Sequence, residues 1–186
     1  NKCTDGGNIV VMNPKNGDIL SMATYPNYDL NNPFSPNEYL STTYDSLTSD
    51  EKSAALYKMW SNKSISELYD PGSVFKLITS SVALEENITS PSIAKDFICN
   101  GYEVVDGVSI RCWAPTPHGY QTLTNALENS CNPAFMQLGA RIGTDTLYKY
   151  YKSFGFFDRT GIDLPGEASA IIKAQEDVVN VDRASM

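Results

Sequence analysis

The 186-residue chain is short of several things that would point to other classes of protein. Basic charge is scarce: 14 Lys and Arg stand against 22 Asp and Glu, a formal net charge of -8. That balance excludes a nucleic-acid groove, which needs clustered cations. There is one histidine, His118, so a Ser-His-Asp triad would have to be built on that single residue. No apolar run is long enough to span a bilayer, and no signal-peptide pattern, internal repeat or low-complexity tract is present. The four cysteines, Cys3, Cys99, Cys112 and Cys131, do not have the spacing of a small disulfide-stapled scaffold. What is there is ordinary for a globular protein: 41% hydrophobic and 19% charged residues, which excludes wholesale disorder. The length suits one domain with a sizeable core. The first residue is Asn1, and Met186 follows no helix-ending or tail signal, so the chain is expected to be a trimmed piece of a longer protein.

Strand and helix signals are mixed rather than strictly alternating, which predicts an α+β fold. Ile9 to Met12 and Ile19 to Ala23 read as two strands, with Asn13-Pro14-Lys15-Asn16-Gly17-Asp18 as turn chemistry between them. Residues 25–49, rich in Pro, Asn, Ser and Tyr, read as an irregular ordered loop. A short helix is expected from Ser49 to about Trp60. After the break at Asp70-Pro71-Gly72, Val74, Leu77, Ile78, Val82 and Leu84 recur at helical spacing, and Asn87 is a plausible stop. Residues 97–113 read as a second hairpin turning at Asp106-Gly107. Helices follow at about 122–129, 132–142 and 144–153, then a loop-like tail from Arg159 to Glu167.

Ser73-Val74-Phe75-Lys76 is the sharpest chemical feature. A serine and a lysine three apart lie on one helix face, one turn from each other. A helix start after Pro71-Gly72 would place Ser73 where orphan N–H groups and the positive dipole end favour a developing oxyanion. A buried lysine beside it can lose its proton and act as base without any histidine. The plain alternative is a chance Ser-x-x-Lys with the serine as a helix cap. Ser130-Cys131-Asn132 is the second feature, at an expected helix junction with Pro133 suited to the first turn. A serine hydroxyl can relay a proton to a leaving amine, and an asparagine amide can hold both a substrate carbonyl and the lysine. Its plain alternative is a cap followed by a turn.

The order and context of these motifs resemble the class B penicillin-binding proteins, the D,D-transpeptidases of septal, elongation or spore-cortex synthesis, whose superfamily signature pairs Ser-x-x-Lys with Ser-Asp-Asn. The likeness extends to the opening hairpin from Ile9 to Ala23, to Tyr25-Pro26-Asn27-Tyr28-Asp29-Leu30-Asn31-Asn32-Pro33, to Tyr69-Asp70-Pro71-Gly72 before the serine, and to Gly161-Ile162-Asp163-Leu164-Pro165-Gly166-Glu167. The resemblance implies that residues 1–186 are a single partial transpeptidase domain of the penicillin-binding protein/serine β-lactamase-like kind. In it Ser73 is the acylated nucleophile, Lys76 its general base, Ser130 a proton relay to the leaving D-alanine, and Asn132 a partner of substrate and lysine. It also implies peptidoglycan stem peptides ending in D-Ala-D-Ala as substrate, β-lactams as ligands that acylate the same serine, and a cell-wall polymerase complex as partner. The location implied is the outer face of the bacterial cytoplasmic membrane, with an anchor outside this chain. No cofactor is implied for catalysis. A β-lactam sensor and a catalytically silent cell-wall scaffold are the rival functions.

Two departures from the family pattern stand out. Cys131 occupies the middle of the second motif, where the pattern has Asp, and is expected to be a buried thiol rather than a reactive one. The third motif, Lys-Thr-Gly or Lys-Ser-Gly, is missing; Arg159-Thr160-Gly161 belongs to the neighbouring marker instead. The true motif is expected downstream of Met186, so this piece alone is expected to be impaired.

Cys99, Cys112 and His118 form a separate constellation, with twelve residues between the cysteines and five between Cys112 and His118. Two thiolates and an imidazole supply three of the four ligands of a tetrahedral zinc site, and Asp96 is the candidate for the fourth. Such a site would be closed and structural. A Cys99–Cys112 disulfide and a pair of buried free thiols are the other readings.

Overall fold

The computed structural model describes residues 6–105 and 107–175. Two compact units make up the chain: residues 1–68 with 161–168, and residues 69–160 with 169–186.

The first unit opens with the expected hairpin, β1 (Gly7–Met12) antiparallel to β2 (Ile19–Tyr25), with Val10 opposite Met22. The turn closes through Asn13 N–H to the Asp18 carbonyl (2.8 Å), and Gly17 takes φ +81°, which a side chain would oppose. α2 (Ser49–Trp60) begins and ends where the sequence predicts. Its start is fixed by a capping box in which Thr48 Oγ1 accepts from Glu51 N–H and the Glu51 carboxylate accepts from Thr48 N–H. Two helices depart from the expected loop and link: α1 (Glu38–Tyr44), capped by Asn37, and α3 (Lys63–Ser66), capped by Asn62. Neither has a buried residue, so no apolar stripe announced them. Ala168 N–H donates to the Ile65 carbonyl (2.8 Å), joining the 161–168 segment to α3.

The second unit holds the core. A single 3₁₀ turn (Gly72–Phe75) leads into α4 (Lys76–Glu85), and the helix stops before Asn87, which sits at φ +55° as a terminator does. The region read as one hairpin over 97–113 divides differently. β3 (Phe97–Cys99) pairs with the distant β6 (Gly119–Gln121), while β4 (Tyr102–Val105) and β5 (Val108–Arg111) form the hairpin. Gly101, at φ +90°, turns the chain between β3 and β4 and ends the pairing there. Gly107 lies in the expected turn at φ +76°; Asp106 is outside the described residues.

α5 (Leu123–Glu128), α6 (Asn132–Ile142) and α7 (Thr144–Ser153) fall where the sequence places helices. α6 runs through the middle of the core, where Val82, Phe97, Phe135, Leu138 and Leu147 are each 1% exposed or less. Burial of each such side chain is worth roughly 1.5–3 kcal/mol. Gln137 of α6 clasps β3, accepting from Ile98 N–H (3.2 Å) and donating to the Ile98 carbonyl (2.8 Å). Among the described residues, no helix is long and apolar enough to cross a membrane.

Candidate active site

Ser73, Lys76, Ser130 and Asn132 all belong to the second unit, and the fold brings them together. Gly72 at φ +55° swings the chain into the 3₁₀ turn, leaving Ser73 exposed. Lys76, the first residue of α4, points the other way and is only 1% exposed, with Nζ 5.5 Å from the centre of the Phe135 ring. α5 ends at Glu128 with Asn129 just beyond it, and Cys131 stands at the N-cap position of α6, with Pro133 in the first turn. Ser130 fills the junction in a left-handed conformation, φ +46°, that costs a non-glycine residue about 1 kcal/mol. The junction is tied down by Trp113 Nε1–H to the Asn129 carbonyl (2.8 Å) and Cys131 N–H to the Ala126 carbonyl (2.9 Å).

Lys76 Nζ lies 3.3 Å from Ser73 Oγ, 3.0 Å from Ser130 Oγ, 2.9 Å from the Ser130 carbonyl and 2.6 Å from Asn132 Oδ1. The two serine hydroxyls are 2.9 Å apart. Burial disfavours the charged amine, so the Lys76 pKa falls below the ordinary lysine range. A neutral amine has two N–H donors and one lone pair. Donation to Asn132 Oδ1 and the Ser130 carbonyl leaves that lone pair free to receive a proton from a serine hydroxyl. The arrangement is therefore a serine hydroxyl, a buried amine and a second hydroxyl in one hydrogen-bonded ring.

The metal constellation assembles with one change of member. Sγ of Cys99, Cys112 and Cys131 and a ring nitrogen of His118 all lie within 4.8 Å of one another. Asp96 is not among them. Its carboxylate takes Arg141 Nη1 at 2.7 Å and the Thr89 hydroxyl, because β3 starts beside the C-terminal half of α6 rather than its beginning. Cys131 was the member that the residue types alone did not deliver. Its signal was faint: a cysteine at a helix start, thirteen residues after His118. The three thiols are unbonded to one another, so the disulfide reading is not the arrangement seen here. As a free thiol, Cys131 is pushed up to about 12 by burial, which makes it no nucleophile at neutral pH.

The family model described as the penicillin binding protein transpeptidase domain matches residues 7–186. The chain belongs to the penicillin-binding protein transpeptidase family. Stage V sporulation protein D of Bacillus subtilis is 40% identical over 182 residues, covering 97% of this chain and 25% of that protein. Peptidoglycan D,D-transpeptidase MrdA of Haemophilus influenzae is 31% identical over 172 residues, covering 91% of this chain and 25% of that protein. Among solved structures, a complex between penicillin-binding protein PBP2 and MreC from Helicobacter pylori matches with a TM-score of 0.69 and 28% identity, over 89% of this chain and 29% of that one. This transpeptidase-family chain thus spans about a quarter of the length of these curated relatives. Its α+β fold is that of the family's transpeptidase domains.

Proposed function

We propose that the chain is the nucleophile-bearing part of a peptidoglycan D,D-transpeptidase, with Ser73 as the acylated residue. The observation that carries this reading is the buried Lys76 amine placed within reach of two serine hydroxyls and Asn132. Neutral Lys76 takes the Ser73 proton as Oγ bonds to the carbonyl carbon of the penultimate D-alanine. Collapse of the tetrahedral intermediate breaks the amide bond, and the leaving D-alanine amine receives its proton through Ser130. An amine of a second stem peptide then attacks the ester, releasing Ser73 and forming the cross-link. The Ser73 N–H, at the entry to the 3₁₀ turn and α4, is suited to half of an oxyanion hole. Asn132 orients the lysine and presents its amide to the substrate.

β-Lactams acylate the same hydroxyl in this reading, because the strained ring offers an equivalent carbonyl. The full-length protein works at the outer face of the cytoplasmic membrane, where its substrate lies. A cell-wall complex as partner is supported by the PBP2 relative seen with MreC.

Incubation of the full-length protein with a fluorescent penicillin, followed by peptide mass spectrometry, tests the reading. Label confined to Ser73 is expected. A folded protein that takes no label, or takes it elsewhere, overturns it. The acylation rate is expected to rise with pH as Lys76 loses its proton, through a midpoint below the usual lysine value of about 10.4.

A further inference from the structure

Ser130 holds a conformation that its own chemistry does not favour. Its φ of +46° is left-handed, a region that a serine leaves unless the structure around it is fixed. Yet its Oγ sits 2.9 Å from Ser73 Oγ and 3.0 Å from Lys76 Nζ, and a change of backbone conformation would carry it away from both. Such a residue persists when the rigid peptide planes on its two sides are pinned, because φ and ψ are rotations between those planes.

The plane after Ser130 is pinned twice. The Ser130 carbonyl accepts from Lys76 Nζ (2.9 Å), and Cys131 N–H donates to the Ala126 carbonyl (2.9 Å). The plane before it is pinned by Ser130 N–H to the Leu127 carbonyl (3.0 Å) and by the Asn129 carbonyl, which accepts from Trp113 Nε1–H at 2.8 Å. The Leu127 bond lies within the end of α5 and turns with it. Trp113, two residues after β5, ties the plane to another part of the unit. The Asn129 side chain adds an anchor of its own, donating to Oε1 of the buried Gln121 in β6 (2.9 Å). Burial does not force the Trp113 bond. The residue is 66% exposed, so water could take the indole N–H instead. The acceptor is the carbonyl that shares a peptide plane with the Ser130 N–H.

We propose that Trp113 is a positioning residue for acyl transfer: through the Asn129 carbonyl it holds the Ser130 hydroxyl where it can hand a proton to the leaving amine. The inference rests on the relay role given to Ser130 above. As the C–N bond of the donor breaks, the amine nitrogen takes the Ser130 proton. Ser130 regains a proton from Lys76, which carries the one taken from Ser73. A thioester donor differs at this step. Its C–S bond breaks to give a thiolate, a weak enough base to leave without a proton. The Trp113 clamp therefore matters for amide donors and not for thioesters.

The test compares pre-steady-state acylation of Ser73 in the full-length protein by two donors with the same acyl group, a peptide ending in D-Ala-D-Ala and the corresponding thioester. Trp113→Phe keeps an aromatic ring and removes the N–H. It is expected to slow the amide donor about tenfold in the rate constant at saturation, and to leave the thioester within about twofold. The thioester rate also reports that the variant is folded. Ser130→Ala is expected to show the same split, and adding Trp113→Phe to it is expected to cost nothing more, because both act on one proton. Trp113→Phe that slows both donors alike, or neither, overturns the proposal, as do losses that add in the double variant. Ser130→Ala that treats both donors alike overturns the relay role, and the proposal with it. A wild-type protein that takes neither donor overturns the transpeptidase reading on which both stand. Hydrogen exchange at the Trp113 indole, followed by NMR in the wild-type protein, needs no variant. Slowing of about tenfold or more relative to free indole is expected, and exchange at the free rate overturns the clamp.

Discussion

The two units are built by different physics. In the first, none of the described residues is buried, and its elements are held by local devices: the Thr48–Glu51 box, the Asn37 and Asn62 caps, and the Asn13–Asp18 turn. Phe34, Tyr57 and Trp60 meet edge to face, and the Trp60 indole donates to the Pro33 carbonyl at 2.7 Å. In the second unit, α4 and α6 share a contiguous buried core, and the four side chains of the candidate site grow directly out of it. The candidate site thus sits where packing fixes atoms most tightly. The β1–β2 hairpin teaches the complementary lesson. Ile9, Val10, Val11, Met12 and Leu20 are between 46% and 67% exposed, so the hairpin carries exposed apolar side chains on both faces. Such composition suits strands that are covered on both sides.

The contrast can be broken or sharpened by experiment. The largest effect is expected at Lys76: Lys76→Ala in the full-length protein is expected to lower penicillin acylation by about 10³-fold or more, since it removes the base and leaves Ser130 and Asn132 without their shared partner. Fluorescent-penicillin kinetics measure this, and near-normal acylation would detach the chemistry from the core. Next, Phe135→Ala is expected to cost about 3–5 kcal/mol in denaturant unfolding of the 186-residue chain, whereas Ile9→Ala, truncating an exposed side chain, costs under about 1 kcal/mol. Equal costs would mean that the hairpin is packed as tightly as the core. The smallest effect is expected at the cap: Thr48→Ala removes one half of the box and costs about 1 kcal/mol, seen as faster amide exchange confined to the first turn of α2.

Much of the second unit was legible before the structure. α5, α6 and α7 fall where the sequence places helices, and the Ser-x-x-Lys and Ser-x-Asn spacings marked Lys76 and the three side chains that meet it. The elements that escaped lack such a signal. α1 and α3 are short, exposed and defined by an asparagine cap, which reads equally well as a turn. The pairing of β3 with β6 escaped because it joins residues twenty or more apart, across the nearer hairpin that the local pattern favours. The fourth member of the thiol cluster was missed as well: Asp96 is the nearest acid before Cys99 in the sequence, but the fold brings Cys131 to the cluster and pairs Asp96 with Arg141.

The ring around Lys76 has one further consequence. Four oxygens surround an amine that can hold at most three protons, so the set is never fully saturated. Which oxygens the amine donates to can change by rotation of N–H and O–H bonds, and a proton can pass between neighbours already at hydrogen-bonding distance while the heavy atoms stay where the helices put them.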